Sequence, residues 1–311
     1  MLNKSTLSKK IILIAGPTAS GKSKLAVSLA KKIGGEIINA DSMQVYKEFS
    51  ILSSRPSDKD TKNVIHHLYG FKSIRKYFSV GEWLILVKKK ISLIIKRNRI
   101  PIVVGGTGLY FNTITKGISK IPLIKINSRK KVRNLHSRIG QKNFYERLLA
   151  LDPMVENKIL PTDTQRTIRA YEVKLFTKKS LYYWAKKTKS DFIDYDVKKF
   201  FIDIPRDQLL KNIDKRTKLM IKNNCIGEVK NFLALKVDKS LSANKIIGIK
   251  EISDFISGYI TLEQAIELIN IKTRQYAKRQ NTWSRGHMST WKKLYYKDSL
   301  ILLKKILKEI S

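Results

Sequence analysis

An unbroken apolar run, Ile11-Ile12-Leu13-Ile14-Ala15, passes directly into Gly16-Pro17-Thr18-Ala19-Ser20-Gly21-Lys22-Ser23, and no other stretch restricts how this chain can fold as tightly. Such a run suits a strand buried on both faces of a parallel sheet. The octapeptide fits G-x-x-x-x-G-K-[ST]. Beyond it, Leu25, Val27, Leu29 and Ala30 are spaced among lysines up to Gly34-Gly35, which reads as a helix ended by glycine. Strand, glycine loop and helix in that order make an anion cradle. The glycines let backbone amides face a ligand, the helix start adds partial positive charge, Lys22 adds a full one, and the Ser23 hydroxyl can ligate Mg²⁺. Residues Gly16 to Ser23 are therefore assigned to a di- or triphosphate. The loop alone does not say whether those phosphates are transferred, hydrolysed or simply leave.

The alternation continues. Glu36-Ile37-Ile38-Asn39-Ala40 reads as a second strand with Asp41-Ser42 at its end, Trp83 to Arg97 has helical apolar spacing, and Pro101-Ile102-Val103-Val104 opens onto Gly105-Gly106-Thr107-Gly108. This predicts an α/β fold, a P-loop NTPase-like core whose parallel sheet is flanked by helices, with ligands at the carboxyl ends of the strands. From about Ile118 to Asp196 strand-like runs disappear, and Lys, Arg, Tyr and Leu alternate at helical spacing. The predicted organisation is a catalytic core of residues 1–117 and 197–311 with an inserted α-helical subdomain over 118–196. Phe200 to Ile204 restores a buried strand, Pro205 to Lys222 reads as a helix entered at proline, and Thr261 with Gln264 opens a long helix to Arg285.

Charge narrows the partners. Lys and Arg number 63 against 25 Asp and Glu, a formal net charge of +38. That balance suits a nucleic acid, although a compositional bias towards lysine would produce it too. A membrane is the other common target of basic proteins, but no apolar run reaches the roughly 18 residues needed to span one. The basic segment Met1 to Lys10 is followed by too short an apolar stretch for a signal peptide, so no export is expected. Cys225 is the single cysteine, which excludes an intramolecular disulfide and a multi-cysteine zinc site, and fits a reducing cytoplasm.

Asp41 follows the second strand and should project towards the crevice that holds the glycine loop. A carboxylate there could ligate Mg²⁺, accept a proton from an incoming nucleophile, or merely cap a turn. The Gly105 to Gly108 loop could admit a base or backbone closely, or could be a strand-end turn with no ligand.

In this order and spacing, Gly-Pro-Thr-Ala-Ser-Gly-Lys-Ser, Asp41-Ser42-Met43-Gln44-Val45-Tyr46 and Gly105-Gly106-Thr107-Gly108-Leu109-Tyr110 closely resemble the tRNA dimethylallyltransferases. The likeness extends through His66-His67-Leu68, Asp163 to Ala170, Ile213-Asp214-Lys215-Arg216 and Thr273 to Trp283, and so covers about Ile11 to Arg285. The resemblance implies transfer of a dimethylallyl group from its diphosphate to the exocyclic amino nitrogen of the adenosine just 3′ of the anticodon. Asp41 would be the base or hydrogen-bond acceptor for that amine. Thr18 would contact the bridging oxygen of the donor, and Lys22 and Arg216 would neutralise the diphosphate, with Mg²⁺ near Ser23. The implied partners are dimethylallyl diphosphate and the anticodon stem-loop of tRNA, with the protein acting as a monomer.

An adenine inside an anticodon loop must leave its stack to reach such a crevice, so the rest of the chain should grip RNA. Asp41, Ser42, Met43, Gln44 and Thr107 are the expected contacts near the base. Gln165, Arg166 and Arg169 lie at helical i, i+1, i+4 spacing, and Lys278, Arg279, Gln280, Trp283 and Arg285 combine cations with an aromatic that could stack. Tyr171, Tyr182, Tyr183 and Trp184 are expected in the core of the insertion, and His66 and His67 in structural roles. The sequence departs from the family at Leu52-Ser53-Ser54-Arg55-Pro56, at Asn212, at Lys245 to Lys250 and at Ser284. Two other enzymes stay open: an adenylate dimethylallyltransferase acting on free nucleotide, which would not need the insertion or the Lys278 to Trp283 segment, and an RNA-associated P-loop NTPase with Asp41 on Mg²⁺.

Overall fold

The computed structural model describes residues 9–57, 61–239, 241–295 and 298–310. The basic stretch from Met1 to Ser8 lies outside the described residues. Six strands, β1 (Lys10–Ala15), β2 (Glu36–Asn39), β3 (His66–His67), β4 (Pro101–Gly105), β5 (Asp196–Asp203) and β6 (Lys292–Tyr295), form one sheet in the order β3-β2-β4-β1-β5-β6. Every neighbouring pair is parallel. Register decides where the site lies. Ala15 pairs with both Gly105 and Phe201, and Asn39 with Val104, so the loops after β1, β2 and β4 leave the same edge side by side.

Eleven described helices accompany the sheet: α1 (Lys22–Ile33), α2 (Val80–Lys96), α3 (Gly108–Thr115), α4 (Ile126–Leu151), α5 (Thr164–Thr177), α6 (Leu181–Lys186), α7 (Arg206–Lys222), α8 (Cys225–Ala234), α9 (Ile249–Ile256), α10 (Leu262–His287) and α11 (Ser299–Ile310). β1 is buried along its whole length because helices cover it. On one face Leu25, Leu29, Leu302 and Ile306 pack over Ile12, Ile14, Ile102 and Val104. Gly34 ends α1 with φ 66, a left-handed conformation that glycine takes without a Cβ penalty. α2 begins with a capping box between Ser79 and Glu82 and buries Trp83, Val87, Ile91 and Ile94. Trp83 stacks on Tyr110 at 4.1 Å and donates to the Asn39 carbonyl at 2.9 Å, so α2 pins the end of β2. Thr261 and Gln264 form the predicted capping box of α10.

A second apolar cluster joins the loop after β2 to α7, α8, α9 and α10 through Phe49, Leu52, Met220, Val229, Ile246 and Ile269. Cys225 is buried in it, and burial pushes its thiol up to about 11, which leaves it inert at neutral pH.

The chain divides into two compact units, residues 1–114 with 194–311, and residues 115–193. The sequence had set that division at 118 and 196; β5 reaches back to Asp196, a residue assigned to the insertion, because its exposed first residue shows no apolar signal. Within the smaller unit Leu148, Val155, Ile159 and Ala170 make one core and Val132, Phe144 and Ile168 another. Tyr171 and Tyr182 pack against these as expected. Tyr183 and Trp184 do not. They are partly exposed on α6 with the Lys179 ammonium over both rings, because a helix of six residues buries none of its side chains here.

Candidate active site

The loop after β2 is held from both sides. Asn39 uses its side-chain oxygen to accept from Asp41 N–H at 2.8 Å, and its amide nitrogen donates to the carbonyls of Asp41 and Leu68. Asp41 Oδ1 accepts from Met43 N–H at 2.9 Å, closing an Asx turn that leaves Oδ2 available. Thr107 N–H donates to the Ala40 carbonyl at 3.1 Å, and Thr107 Oγ1 accepts from Ser42 N–H at 3.0 Å. Gly105 is required by this approach, since a Cβ there would lie 2.1 Å from the Ala40 carbonyl. The Gly105 loop thus buttresses the Asp41 loop.

The glycine loop turns through Ala19 at φ 61 and Gly21 at φ 81. Alanine in the left-handed region is strained by roughly 1–2 kcal/mol, a cost tolerated where surrounding bonds fix the backbone. Those bonds are present. Asn212 donates to the Ala19 carbonyl at 3.0 Å, Gln280 accepts from Thr18 N–H at 2.8 Å, and Arg216 donates to Thr18 Oγ1. The family departure at Asn212 therefore still supports the loop. Lys22 donates to the Pro17 carbonyl at 3.1 Å. Burial lowers the Lys22 pKa to about 8; the Asp41 carboxylate opposes that shift and the Arg216 guanidinium adds to it. Arg216 is shifted the same way by burial, against the pull of Asp41. Tyr69, Tyr110 and Tyr276 are all pushed upward, first by burial and next by the negative charge of Asp41, so they remain neutral hydroxyls.

Thr18, Lys22, Asp41, Arg216 and Tyr276 line a cavity of about 460 Å³. Its lining also includes Ser23, an apolar group of Leu52, Met220, Ile246, Ile247 and Ile269, and further polar side chains such as Ser53, Ser54, Lys245 and Arg279. A second cavity of about 320 Å³ shares Tyr276 and Arg279 with it and is lined by Gly16, Ser42, Thr107, Gln280 and Trp283. Ala19, Gly21, Met43 and Gln44 also line the first cavity, whereas Pro17 does not and Ser20 is buried with its hydroxyl unpaired. Trp283 packs so closely on Gly108 that a Cβ there would meet its ring at 2.2 Å, and its face stacks on His287 at 4.3 Å. Arg285 lines a third cavity that shares Phe201, Ser284 and Met288 with the second. Lys278 is exposed on α10. Gln44 spends its amide nitrogen on the Ser53 and Ser54 carbonyls, and Gln280 spends both ends of its amide on backbone.

In the smaller unit Gln165 and Arg166 are exposed, with Arg166 3.5 Å from Asp163, the residue that caps α5. Arg169 joins Arg129 and Arg133 around the buried Glu172 carboxylate. His67 bonds the buried Glu36 carboxylate at 2.6 Å, which together with Arg97 gives the histidine its structural role.

The reading from sequence missed the apolar wall and Tyr276. Tyr276 was detectable, because it lies one turn before Gln280 and two before Trp283 on the same helix. The wall was not, since its residues come from four separate segments. The departing Leu52 belongs to it, held by Glu228, whose carboxylate accepts from the amides of Ser50, Ile51 and Leu52 at 2.6, 2.9 and 2.8 Å. Arg55 donates to the Tyr46 and Lys47 carbonyls, so that departure too is taken up locally. For Mg²⁺ the cavity offers one carboxylate, Asp41, and the Ser23 hydroxyl at the start of α1. No group of three or more His, Cys, Asp or Glu that could hold a metal occurs among the described residues. That donor set fits an ion held mainly by phosphate oxygens and water.

A glycine loop at the end of β1, with a carboxylate and a group of apolar side chains lining the same cavity, defines a P-loop α/β enzyme. Comparison with known proteins gives the family. A model described as IPP transferase matches residues 44–287 and one described as isopentenyl transferase matches residues 9–69. The chain is 55% identical to a tRNA dimethylallyltransferase of Pelagibacter ubique over 92% of its own length and 91% of the relative's, and 40% identical to one from a Caulobacter species over 92% of each. It also superposes on the solved tRNA delta(2)-isopentenylpyrophosphate transferase of Staphylococcus epidermidis with a TM-score of 0.69 and 30% identity, covering 97% of this chain and 98% of that one. A eukaryotic dimethylallyltransferase solved acting on tRNA matches with a TM-score of 0.78 and 27% identity, over 93% of this chain and 74% of that one. The chain belongs to the tRNA dimethylallyltransferase family.

No described helix is long and apolar enough to cross a membrane.

Proposed function

We propose that this enzyme transfers the dimethylallyl group of dimethylallyl diphosphate to the exocyclic amino nitrogen of the adenosine 3′-adjacent to the anticodon, giving N-isopentenyladenosine in tRNA and diphosphate. One observation carries the reading: the cationic cradle and Asp41 share a cavity with a group of apolar side chains, Leu52, Met220, Ile246, Ile247 and Ile269. A five-carbon allyl group has no polar atoms and packs against those side chains without leaving a hydrogen-bonding group unpaired.

The chemistry follows from the positions. As the allylic C–O bond breaks, positive charge grows on the hydrocarbon and negative charge on diphosphate, so fixed cations and amides at the latter lower the barrier. Lys22 and Arg216 supply the cations. Thr18 Oγ1 accepts from Arg216, which turns the hydroxyl's own proton outward, free to donate to the bridging oxygen. The adenine amine forms the new C–N bond and gives up a proton to Asp41, which needs to be only a modest base. Bound Mg²⁺ would supply further neutralisation of diphosphate, held by Ser23. The amine is weakly nucleophilic, so holding it in line with the allylic carbon contributes much of the rate.

The target base, flipped from the anticodon loop, enters through the second cavity past Thr107, Ser42 and Trp283. Lys278, Arg279 and Arg285 on the core hold RNA around it, and Gln165, Arg166 and Arg169 on the insertion make contacts of their own with the tRNA. A tRNA acceptor and a lone buried thiol fit a cytoplasmic monomer.

The test is incubation with labelled dimethylallyl diphosphate and either unmodified tRNA, AMP or ATP alone. Label in tRNA is the expected result. Label in AMP instead, or inorganic phosphate released from ATP without label transfer, would overturn the proposal.

A further inference from the structure

Helix α10 lines both cavities through Tyr276 and Arg279, and Gln280 on it is bonded at both ends to backbone. Its Oε1 accepts from Thr18 N–H at 2.8 Å, and its Nε2 donates to the Gly106 carbonyl at 2.9 Å. A backbone amide only donates and a carbonyl only accepts, so the reverse orientation of the side-chain amide would set donor against donor and acceptor against acceptor. The orientation is therefore unique. The fit is also close: a Cβ on Gly106 would lie 2.2 Å from Nε2, so glycine at that position makes room for this one side chain.

We propose that Gln280 is a positioning residue that fixes the spacing between the donor and acceptor halves of the site, and not a side chain that reads RNA. The inference rests on the transfer reaction proposed above. Thr18 N–H is withdrawn from the anion by this bond, so the Thr18 peptide is oriented by α10 while its hydroxyl is set by Arg216. At the other end the Gly106 peptide is fixed next to Thr107, whose hydroxyl holds Ser42 N–H beside Asp41. A continuous set of bonds thus runs from Arg216 through Thr18, Gln280 and the Gly106-Thr107 loop to the Asp41 turn. Tyr276, one turn earlier on α10, reaches the Thr107 side chain and strengthens the same link. In-line attack needs the amine and the allylic carbon about 3–3.5 Å apart, and an error of about 1 Å costs on the order of 100-fold in rate.

The test compares Gln280→Met, which keeps the length and removes both polar ends, with Gln280→Glu, after thermal denaturation has shown each to be folded. For the methionine variant we expect kcat to fall roughly 10- to 100-fold while KM for donor and tRNA stays within about threefold, the signature of lost alignment. In the glutamate variant one oxygen still accepts from Thr18, but an ionised carboxylate opposes the Gly106 carbonyl. Protonation restores a donor there, so its kcat relative to wild type should recover as pH falls towards the carboxylic acid range. A methionine variant with wild-type kcat and weakened tRNA affinity would overturn the inference and return Gln280 to RNA contact. So would a glutamate variant whose kcat, relative to wild type, does not respond to pH. If the methionine variant does not fold, the pH response of the glutamate variant decides alone. Wild-type enzyme that places no label in tRNA would remove the underlying reaction instead, and is seen before either variant is measured.

Discussion

Asp41 and Lys22 line the same cavity with opposite charges, and the Asp41 carboxylate holds the lysine's pKa up against burial. Asp41→Asn keeps the side-chain oxygen that accepts from Met43 N–H, so the turn survives while the proton acceptor is lost. We expect kcat to fall about 10²- to 10⁴-fold, the usual contribution of a general base, with tRNA affinity within about twofold of wild type. A large loss of tRNA affinity with normal turnover at saturation would contradict the role. Lys22 makes a separate, pH-dependent prediction. Its pKa is lowered to about 8, and only the charged form attracts diphosphate. Affinity for a non-reactive donor analogue should be full below that value and weaken as pH rises through it, by up to about tenfold per unit. Lys22→Met should bind weakly and flatten the profile. Because Asp41 holds the lysine's pKa up, Asp41→Asn should move the inflection to lower pH. An affinity that stays constant through this range would show that Lys22 does not meet the phosphates.

At the scale of elements, β1, the glycine loop and α1 were legible because each is fixed by local pattern: an apolar run, a spaced motif and a 3.6-residue period. Asp41 was legible as a residue at a strand end, although its Asx turn was not. The edge strands β3 and β6, of two and four residues, carry no period long enough to read, and α8 and α9 are amphipathic only with respect to a cluster that tertiary packing creates. Glu228 shows how such hidden elements serve the site. From α8 it gathers three amides of the loop that presents Leu52 to the cavity. Glu228→Ala leaves those amides without their partner and should lower stability by about 1.5–3 kcal/mol, read from the denaturant midpoint. KM for the donor should rise as the wall loosens, while tRNA affinity is unchanged. A variant with wild-type donor KM would mean that Leu52 does not touch the hydrocarbon.

For the whole molecule the question is how much of the +38 charge serves RNA. Composition could not answer it, since compositional bias and selection for binding leave the same lysines. Position separates the two. Lys278 and Arg279 are exposed neighbours on α10, and Arg279 lines both cavities of the site. Lys32 is in the last turn of α1, and Lys308 lies near the end of α11, whose Ile310 carbonyl accepts from Lys10 at the start of β1. Those two therefore lie at the amino ends of the strands, away from the loops that form the site. Each phosphate neutralised adds about 0.7–0.9 to the slope of log affinity against log salt, and six to ten contacts lose about 10³- to 10⁵-fold between 50 and 200 mM salt. If most of the surplus is solvated surface, the measured slope will correspond to about that many phosphates and fall far short of the net charge. Lys278→Ala and Arg279→Ala should each lower the slope by about one and weaken all tRNAs alike, whereas Lys32→Ala and Lys308→Ala should leave it unchanged. Equal losses from both pairs would mean that the charge acts as a diffuse field and that α10 has no special claim on the RNA backbone.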